Sequence, residues 1–235
     1  MAPNTVHVMD EYYLVITLLV TVGYQLFFFA IAFTFKFDKL TGTHPGLPSH
    51  HEHQLTVPAD FAGGTNFVVL AVLTLALSGT HHARQVTASL ALAVWGLRLS
   101  GFLLFRILKT GKDDRFDDKR DRFLPFLGFW VFQMLWVWAV SLPVTVLNSP
   151  AVGSYVFHAF GTARDIAGLV LFALGLLLET VSDAQKYRFR ARNDRAAVCD
   201  KGFFAWSRHP NYFGEIIIQF CEFPLAGLPE AESPC

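Results

Sequence analysis

Long apolar stretches, separated by shorter polar and charged stretches, make up most of this chain. Five of them approach or exceed the roughly 20 residues that a helix needs to cross a bilayer. They are residues 13–35, 66–80, 86–108, 123–147 and 166–181. The second is short and could be tilted or re-entrant, and a sixth run, residues 213–228, is also short and contains Glu222. The pattern predicts an all-α, polytopic bundle of about five to six transmembrane helices, forming one membrane domain over residues 1–235.

The distribution of basic residues predicts the orientation of this bundle. Lysine and arginine are concentrated after the third and fifth predicted helices, whereas the N-terminal tail and residues 148–162 contain neither. Because positively charged loops stay on the cytoplasmic side, residues 36–65 and 184–212 are predicted cytoplasmic loops. Lys112 and Lys201 should then face the cytoplasm, and Asn148 the lumen or exterior. The N-terminus lacks the features of a signal peptide, so the first helix should be retained as an anchor.

Composition narrows the range of partners. The chain is 53% hydrophobic and 16% charged, with a formal net charge of zero, which indicates an integral membrane protein surrounded by lipid and argues against nucleic acid. Three scattered cysteines suggest neither a disulfide framework nor a zinc site. Four histidines occur in the first cytoplasmic loop, but its prolines indicate irregular structure, and we predict no metal site there. They are His44, His50, His51 and His53.

Ionisable residues within the apolar segments are the first sign of chemistry. The spacing of Glu179, Asp183, Lys186 and Arg190 places all four on one helical face. Snorkelling explains the two basic residues, but it does not explain Glu179, which lies about 10 Å from the cytoplasmic helix end. Arg98 lies about 12 Å deep in the third helix. We therefore expect an Arg98–Glu179 ion pair, whose role could be structural or functional.

Residues 206–215, W-S-R-H-P-N-Y-F-G-E, are the most informative segment. A turn accounts for Pro210 and Asn211. It does not account for Arg208, His209 and Glu215 together at the mouth of an apolar helix, where such a cluster usually binds or reacts with something.

Two further segments carry weaker signals. In residues 60–67, D-F-A-G-G-T-N-F, two glycines permit tight backbone geometry, and Thr65 or Asn66 could cap the following helix. Residues 112–120, K-D-D-R-F-D-D-K-R, have the mixed charge of a solvated surface. Their position on the predicted cytoplasmic side also makes them candidates for phosphate binding.

These motifs, and S-R-H-P-N-Y-F-G-E above all, resemble those of an uncharacterised membrane family allied to the steroid 5-alpha-reductases, over residues 60–218. The resemblance implies an NADPH site facing the cytosol and reduction of a carbon–carbon double bond in a lipophilic, steroid-like or other enone substrate. It implies that Glu215 is the acid that polarises the substrate ketone, with Tyr212 as an alternative proton donor. With the polar stripe, the candidate cofactor-binding residues are Glu179, Asp183, Lys186, Arg190, Arg208, His209 and Asn211.

Two departures from that family leave alternatives open. The steroid enzymes use a tyrosine from an earlier helix, and this chain has none between Tyr24 and Tyr155. Residues 223–235 look unlike the family, so we expect a C-terminally truncated form with little or no reductase activity. One alternative is an S-adenosylmethionine-dependent methyltransferase of the isoprenylcysteine or phospholipid type, which carries a similar R-H-P-x-Y-x-G core. The other is a non-catalytic remnant. In a eukaryotic cell we expect the endoplasmic reticulum membrane.

Overall fold

The computed structural model describes residues 10–41, 57–110, 123–153, 160–193 and 197–226. These residues contain helices and no strand, which confirms the predicted all-α fold. Five of the helices are long and apolar enough to cross a membrane. The elements are α1 (Leu14–Thr41), α2 (Val57–Ser78), α3 (Ala83–Thr110), α4 (Phe123–Leu147), the short α5 (Pro150–Gly153), α6 (Ala163–Arg190), a 3-10 helix (Gly202–Ala205) and α7 (Pro210–Ala226).

Several helices are longer than the apolar runs predicted, and the loops between them are correspondingly shorter. The prediction of a loop over residues 36–65 was wrong at both ends, because α1 continues to Thr41 and α2 begins at Val57. Residues 42–56, with the four histidines, lie outside the described residues. The predicted loop over residues 184–212 likewise begins as helix, since α6 continues to Arg190. Apolar periodicity marks the membrane-embedded part of a helix, whereas backbone hydrogen bonding continues into the polar flanks.

Thr65 and Asn66 do not cap a helix, which corrects a second prediction. Both lie inside α2, where the Thr65 hydroxyl donates to the Phe61 carbonyl at 2.5 Å and lies 2.9 Å from the Tyr24 hydroxyl. The neighbouring glycines have a packing role instead. A Cβ atom at Gly64 would lie 2.1 Å from Ser100 Oγ, so a glycine is needed where α2 crosses α3.

The end of the bundle opposite the basic loops is held by buried polar groups. The Arg84 guanidinium donates two hydrogen bonds, of 2.8 and 3.0 Å, to the Asp165 carboxylate, which joins α3 to the start of α6. Asp165 also takes part in a capping box with Thr162. Asn148, fully buried after α4, donates to the hydroxyls of Thr74 and Ser89 at 3.0 and 2.9 Å. Polar residues are tolerated at this otherwise apolar end because they form hydrogen bonds with one another between helices.

Candidate functional site

Arg98 on α3 is the centre of the buried polar cluster at the other end of the bundle. Its guanidinium donates to the carboxylate of Glu179, to Asp183 Oδ2 at 2.6 Å, and to the Thr180 hydroxyl at 3.3 Å. The three charged side chains are almost entirely shielded from solvent. The predicted Arg98–Glu179 pair is therefore confirmed, and Asp183 extends it by one helical turn.

Trp95 completes the surroundings of Glu179. Its indole N–H donates to Glu179 Oε2 at 3.2 Å, so that both carboxylate oxygens accept a hydrogen bond. The indole is fully buried, and its ring centroid lies 4.9 Å from that of Phe67 on α2. Trp95 was not among the site residues predicted from the sequence. The signal was its position three residues before Arg98, which places both side chains on one face of α3.

A close crossing of two helices brings Glu215 to this cluster. A Cβ atom at Gly214 would lie 2.8 Å from both the Glu179 amide nitrogen and the Gly175 carbonyl oxygen. A residue with a side chain at position 214 would therefore push α7 away from α6. The crossing leaves Glu215 near enough to Asp183 and Arg98 to interact electrostatically with both. Two carboxylates from α6 thus bind the Arg98 guanidinium, and a third carboxyl group, from α7, lies near them.

The start of α7 explains how the signature residues are arranged. Pro210 is the first residue of the helix. A backbone N–H at this position would have no acceptor within the helix, so proline loses no hydrogen bond there. The Phe213 amide donates to the His209 carbonyl at 3.1 Å, which closes the first turn. The apolar run begins at Phe213, but the helix begins one turn earlier. Asn211 and Glu215 consequently lie four residues apart on one face of α7.

The remaining predicted site residues differ in how far their side chains are exposed to solvent. Lys186 is partly buried, whereas Arg190, Arg208 and His209 are exposed. Tyr212 is exposed as well, and its ring stacks on the His209 imidazole at 5.3 Å between centroids. The structure therefore divides the predicted set in two. Buried Glu179 and Asp183 and partly buried Glu215 form an acidic part, and the exposed Arg190, Arg208, His209 and Tyr212 form a solvent-facing part.

Two polar groups near the acidic part have no hydrogen-bond partner within the described structure. They are the Oδ1 atom of Asn211 and the hydroxyl of fully buried Ser182 on α6. Burying such a group without a partner costs free energy, which makes both atoms candidates for contact with a bound ligand. Among the described residues no group of three histidine, cysteine, aspartate or glutamate side chains could hold a metal ion. Residues 112–120, the other candidates for phosphate binding, lie outside those residues.

Gln185 attaches the segment before α7 to α6. Its Oε1 atom accepts a hydrogen bond of 3.1 Å from the Phe203 amide. Gly202 has a φ of +62°, and a Cβ atom there would lie 2.6 Å from Gln185 Oε1. The positive φ favours glycine at this position, and a side chain there would displace Gln185. The sequence alone gave no sign of the contact between Gln185 and Gly202, because these residues lie 17 positions apart.

Comparison with known proteins identifies one family. No curated protein and no solved structure matches the chain. A family model matches residues 50–233, which is more than half of the chain. The match extends beyond residues 60–218, over which the motifs were compared. It includes most of the C-terminal segment that we expected to differ, so that segment no longer gives a reason to expect an inactive form. The chain belongs to the family described as "Protein of unknown function (DUF1295)".

Proposed function

We propose that this protein is an NADPH-dependent membrane reductase of a carbon–carbon double bond in a lipophilic enone, allied to the steroid 5-alpha-reductases that its motifs resemble. The observation that carries the proposal is the placement of Glu215 beside the Arg98–Glu179–Asp183 cluster by the Gly175–Gly214 crossing. In a eukaryotic cell we place this activity in the endoplasmic reticulum membrane.

The residues at the predicted cytoplasmic end fit a phosphorylated dinucleotide. Lys186, Arg190 and Arg208 supply positive charge for phosphate groups, and guanidinium groups can bind phosphate through two parallel hydrogen bonds. The Asn211 Oδ1 atom and the Ser182 hydroxyl, which have no partner in the described structure, are candidates for further polar contacts. When bound, NADPH supplies the hydride. The protein has to hold the ligands, exclude water and provide the acid.

Glu215 is the group that we assign as the acid. The hydrogen bonds of Arg98 go to Glu179, Thr180 and Asp183, so its guanidinium is already engaged by other groups. A carboxyl group in apolar surroundings without a dedicated counter-ion can stay protonated. A proton on Glu215 could then be donated to the ketone oxygen as negative charge develops there. Tyr212 is less suited to this role, because its ring lies at the surface against His209.

One observation favours a second candidate, the S-adenosylmethionine-dependent methyltransferase. The acidic cluster contains three carboxyl groups and one guanidinium, so it could attract a cationic ligand more readily than an anionic one. The sulfonium centre and ammonium group of S-adenosylmethionine are both positively charged. The exposed basic residues favour NADPH instead, because they meet a ligand entering from the cytoplasm first.

Ligand titration of the purified protein separates these functions. We expect calorimetry to detect NADPH binding and no S-adenosylmethionine binding. Arg190→Ala and Arg208→Ala should each weaken NADPH binding by about 1.5–3 kcal/mol, the range for a hydrogen bond to a charged group. Unchanged affinity in both variants would remove these arginines from the site.

Glu215→Gln tests the acid directly. Glutamine keeps the shape of glutamate but provides a much weaker acid, so NADPH affinity should be retained while substrate-dependent NADPH oxidation falls by about 10²–10⁴-fold, as for loss of a general acid. Tyr212→Phe is the matched comparison and should keep most of the activity. The reverse result would transfer the acid role to Tyr212. In the ligand titration, binding of S-adenosylmethionine without binding of NADPH would refute the reductase proposal and support the methyltransferase.

A further inference from the structure

The segment before α7 presents large apolar side chains that nothing in the described structure covers. Trp206 is 88% exposed and Val198 is 77% exposed. The segment is nevertheless anchored, because Phe203 and Gly202 contact Gln185 on α6. Tryptophan is enriched at membrane–water interfaces, where its ring lies among the lipid headgroups and its N–H reaches water. The position of Trp206, just outside the membrane-facing part of α7, is the one this preference predicts.

The exposed apolar surface continues from this segment along α7. Phe213, Ile216 and Phe220 are 56%, 60% and 69% exposed and follow the spacing of a single helical face. The opposite face of α7 is buried against the bundle through Gly214, Ile218 and Cys221. A helix with one face packed on protein and the other face apolar and exposed is suited to contact with acyl chains. The apolar surface at Trp206 is therefore continuous with a lipid-facing surface.

Positive charge accompanies these apolar side chains. Residues 186–208 contain seven lysine or arginine residues and two aspartates. Of the basic side chains, Arg188, Arg190, Arg192, Lys201 and Arg208 are exposed in the described structure. Clusters of four to eight basic residues directly cytoplasmic to a transmembrane helix attract anionic lipid headgroups. An exposed tryptophan beside this basic cluster favours binding to a membrane surface over binding to a soluble partner.

We infer that residues 197–209 form an interfacial anchor that lies in the headgroup layer of the cytoplasmic leaflet and binds anionic lipid. Trp206 and Val198 insert at the boundary of headgroups and acyl chains, and Lys201 contacts the negatively charged headgroup. Phe213, Ile216 and Phe220 extend this contact into the acyl chains, which makes α7 a membrane-inserted helix in addition to the five long ones.

The anchor also bears on the depth of the acidic cluster. It is joined to α6 at Gln185, two residues after Asp183, and it leads directly into α7, where Glu215 lies in the second turn. At the helical rise, Glu215 lies about 8 Å below Pro210 along α7. Holding Trp206 at the interface therefore holds Glu215 below it, within the apolar layer. This inference does not depend on which ligand the site binds.

Depth-dependent quenching of tryptophan fluorescence tests the anchor. The full chain is placed in nanodiscs of phosphatidylcholine with or without phosphatidylserine, and the Trp206 signal is obtained as the difference between wild type and Trp206→Phe. Lipids with a doxyl label near the headgroup should quench this signal more strongly than lipids labelled deep in the acyl chain, and iodide should quench it weakly. Trp130, which is fully buried, provides the control through Trp130→Phe, and its signal should respond to neither quencher.

The lipid preference is tested with the same signal. Headgroup-labelled phosphatidylserine should quench Trp206 more than the phosphatidylcholine analogue, and Lys201→Gln should reduce the preference by roughly fivefold, the equivalent of about 1 kcal/mol per basic residue near the surface. Strong iodide quenching without lipid quenching would overturn the anchor and leave a surface for water or a soluble partner. Equal quenching by the two lipids would overturn the anionic preference. Neither result would affect NADPH binding, because Trp206 and Lys201 lie outside the proposed cofactor site.

Discussion

Replacing Arg98 with methionine should destabilise the bundle far more than the loss of one hydrogen bond would. Methionine has a similar length and no charge, so the change removes the counter-ion of Glu179 and Asp183 and leaves the packing largely intact. Both carboxylates are shielded, and the bond to Asp183 is only 2.6 Å long. Breaking a buried ion pair by removing one partner costs about 3–5 kcal/mol. We expect a loss in that range.

Thr180→Val is the matched comparison, because the Thr180 hydroxyl accepts the third hydrogen bond from Arg98 and lies at the exposed side of the cluster. Because this hydrogen bond is long, at 3.3 Å, and exposed to solvent, we expect it to contribute about 0.5–1.5 kcal/mol, less than a buried bond to a charged group. The free energy of unfolding can be measured for each variant by reversible transfer between native and denaturing detergent micelles. A cost for Arg98→Met no larger than that for Thr180→Val would refute the reasoning.

A double-mutant cycle separates the ion pair from general disruption. In Arg98→Met combined with Glu179→Gln, one of the carboxylates left unpaired by the first change has become neutral. The double variant should therefore lose less stability than the sum of the single variants, with a coupling of about 0.5–3 kcal/mol. Additive losses would mean that Arg98 acts through packing, and that its ion pair with Glu179 contributes little stability.

Two further predictions concern topology and packing. Lys201→Cys should react with a membrane-impermeant reagent from the cytoplasmic side and Phe160→Cys from the opposite side, since both positions are exposed and Asn148 is not; labelling of both from one side would contradict the predicted orientation. Gly214→Ala should lower the free energy of unfolding by about 1–3 kcal/mol through overpacking, whereas Gly128→Ala should be neutral or stabilising by up to about 1 kcal/mol, because nothing lies within 4 Å of the added Cβ atom. Equal effects of the two alanines would argue against a close α6–α7 crossing.

The sequence was sufficient to predict the helices and one ion pair, because both depend on local rules. Apolar length located the five long helices, and matched depth below the basic loops predicted that Arg98 would meet Glu179. Helix ends were predicted less well, because a helix continues through polar residues wherever backbone hydrogen bonds remain available. Thr65 illustrates this limit, since its hydroxyl bonds back to Phe61 within α2 instead of capping it.

Contacts between distant segments could not be predicted, because they depend on how the helices are packed. The sequence placed Glu215 near a helix start, but its position beside Asp183 follows from the fit between Gly175 and Gly214. In the same way, the signature motif was considered as one unit, whereas the structure turns His209 and Tyr212 to the surface and Glu215 inward. A run of adjacent residues on a helix necessarily points in several directions.

The two ion pairs between α3 and α6 restrict the number of residues that can separate the charges on each helix. Arg84 and Arg98 are 14 positions apart on α3, and their partners Asp165 and Glu179 are 14 positions apart on α6. Each interval spans about 21 Å, so the helices run parallel and in register at both ends. A one-residue insertion in either interval would rotate one charge by about 100° and separate it from its partner. Related chains should therefore change both intervals together or neither. The two helices also have to move as a rigid unit, so that any opening wide enough for a large ligand must come from displacement of α7 or of the helices on the far side of the bundle.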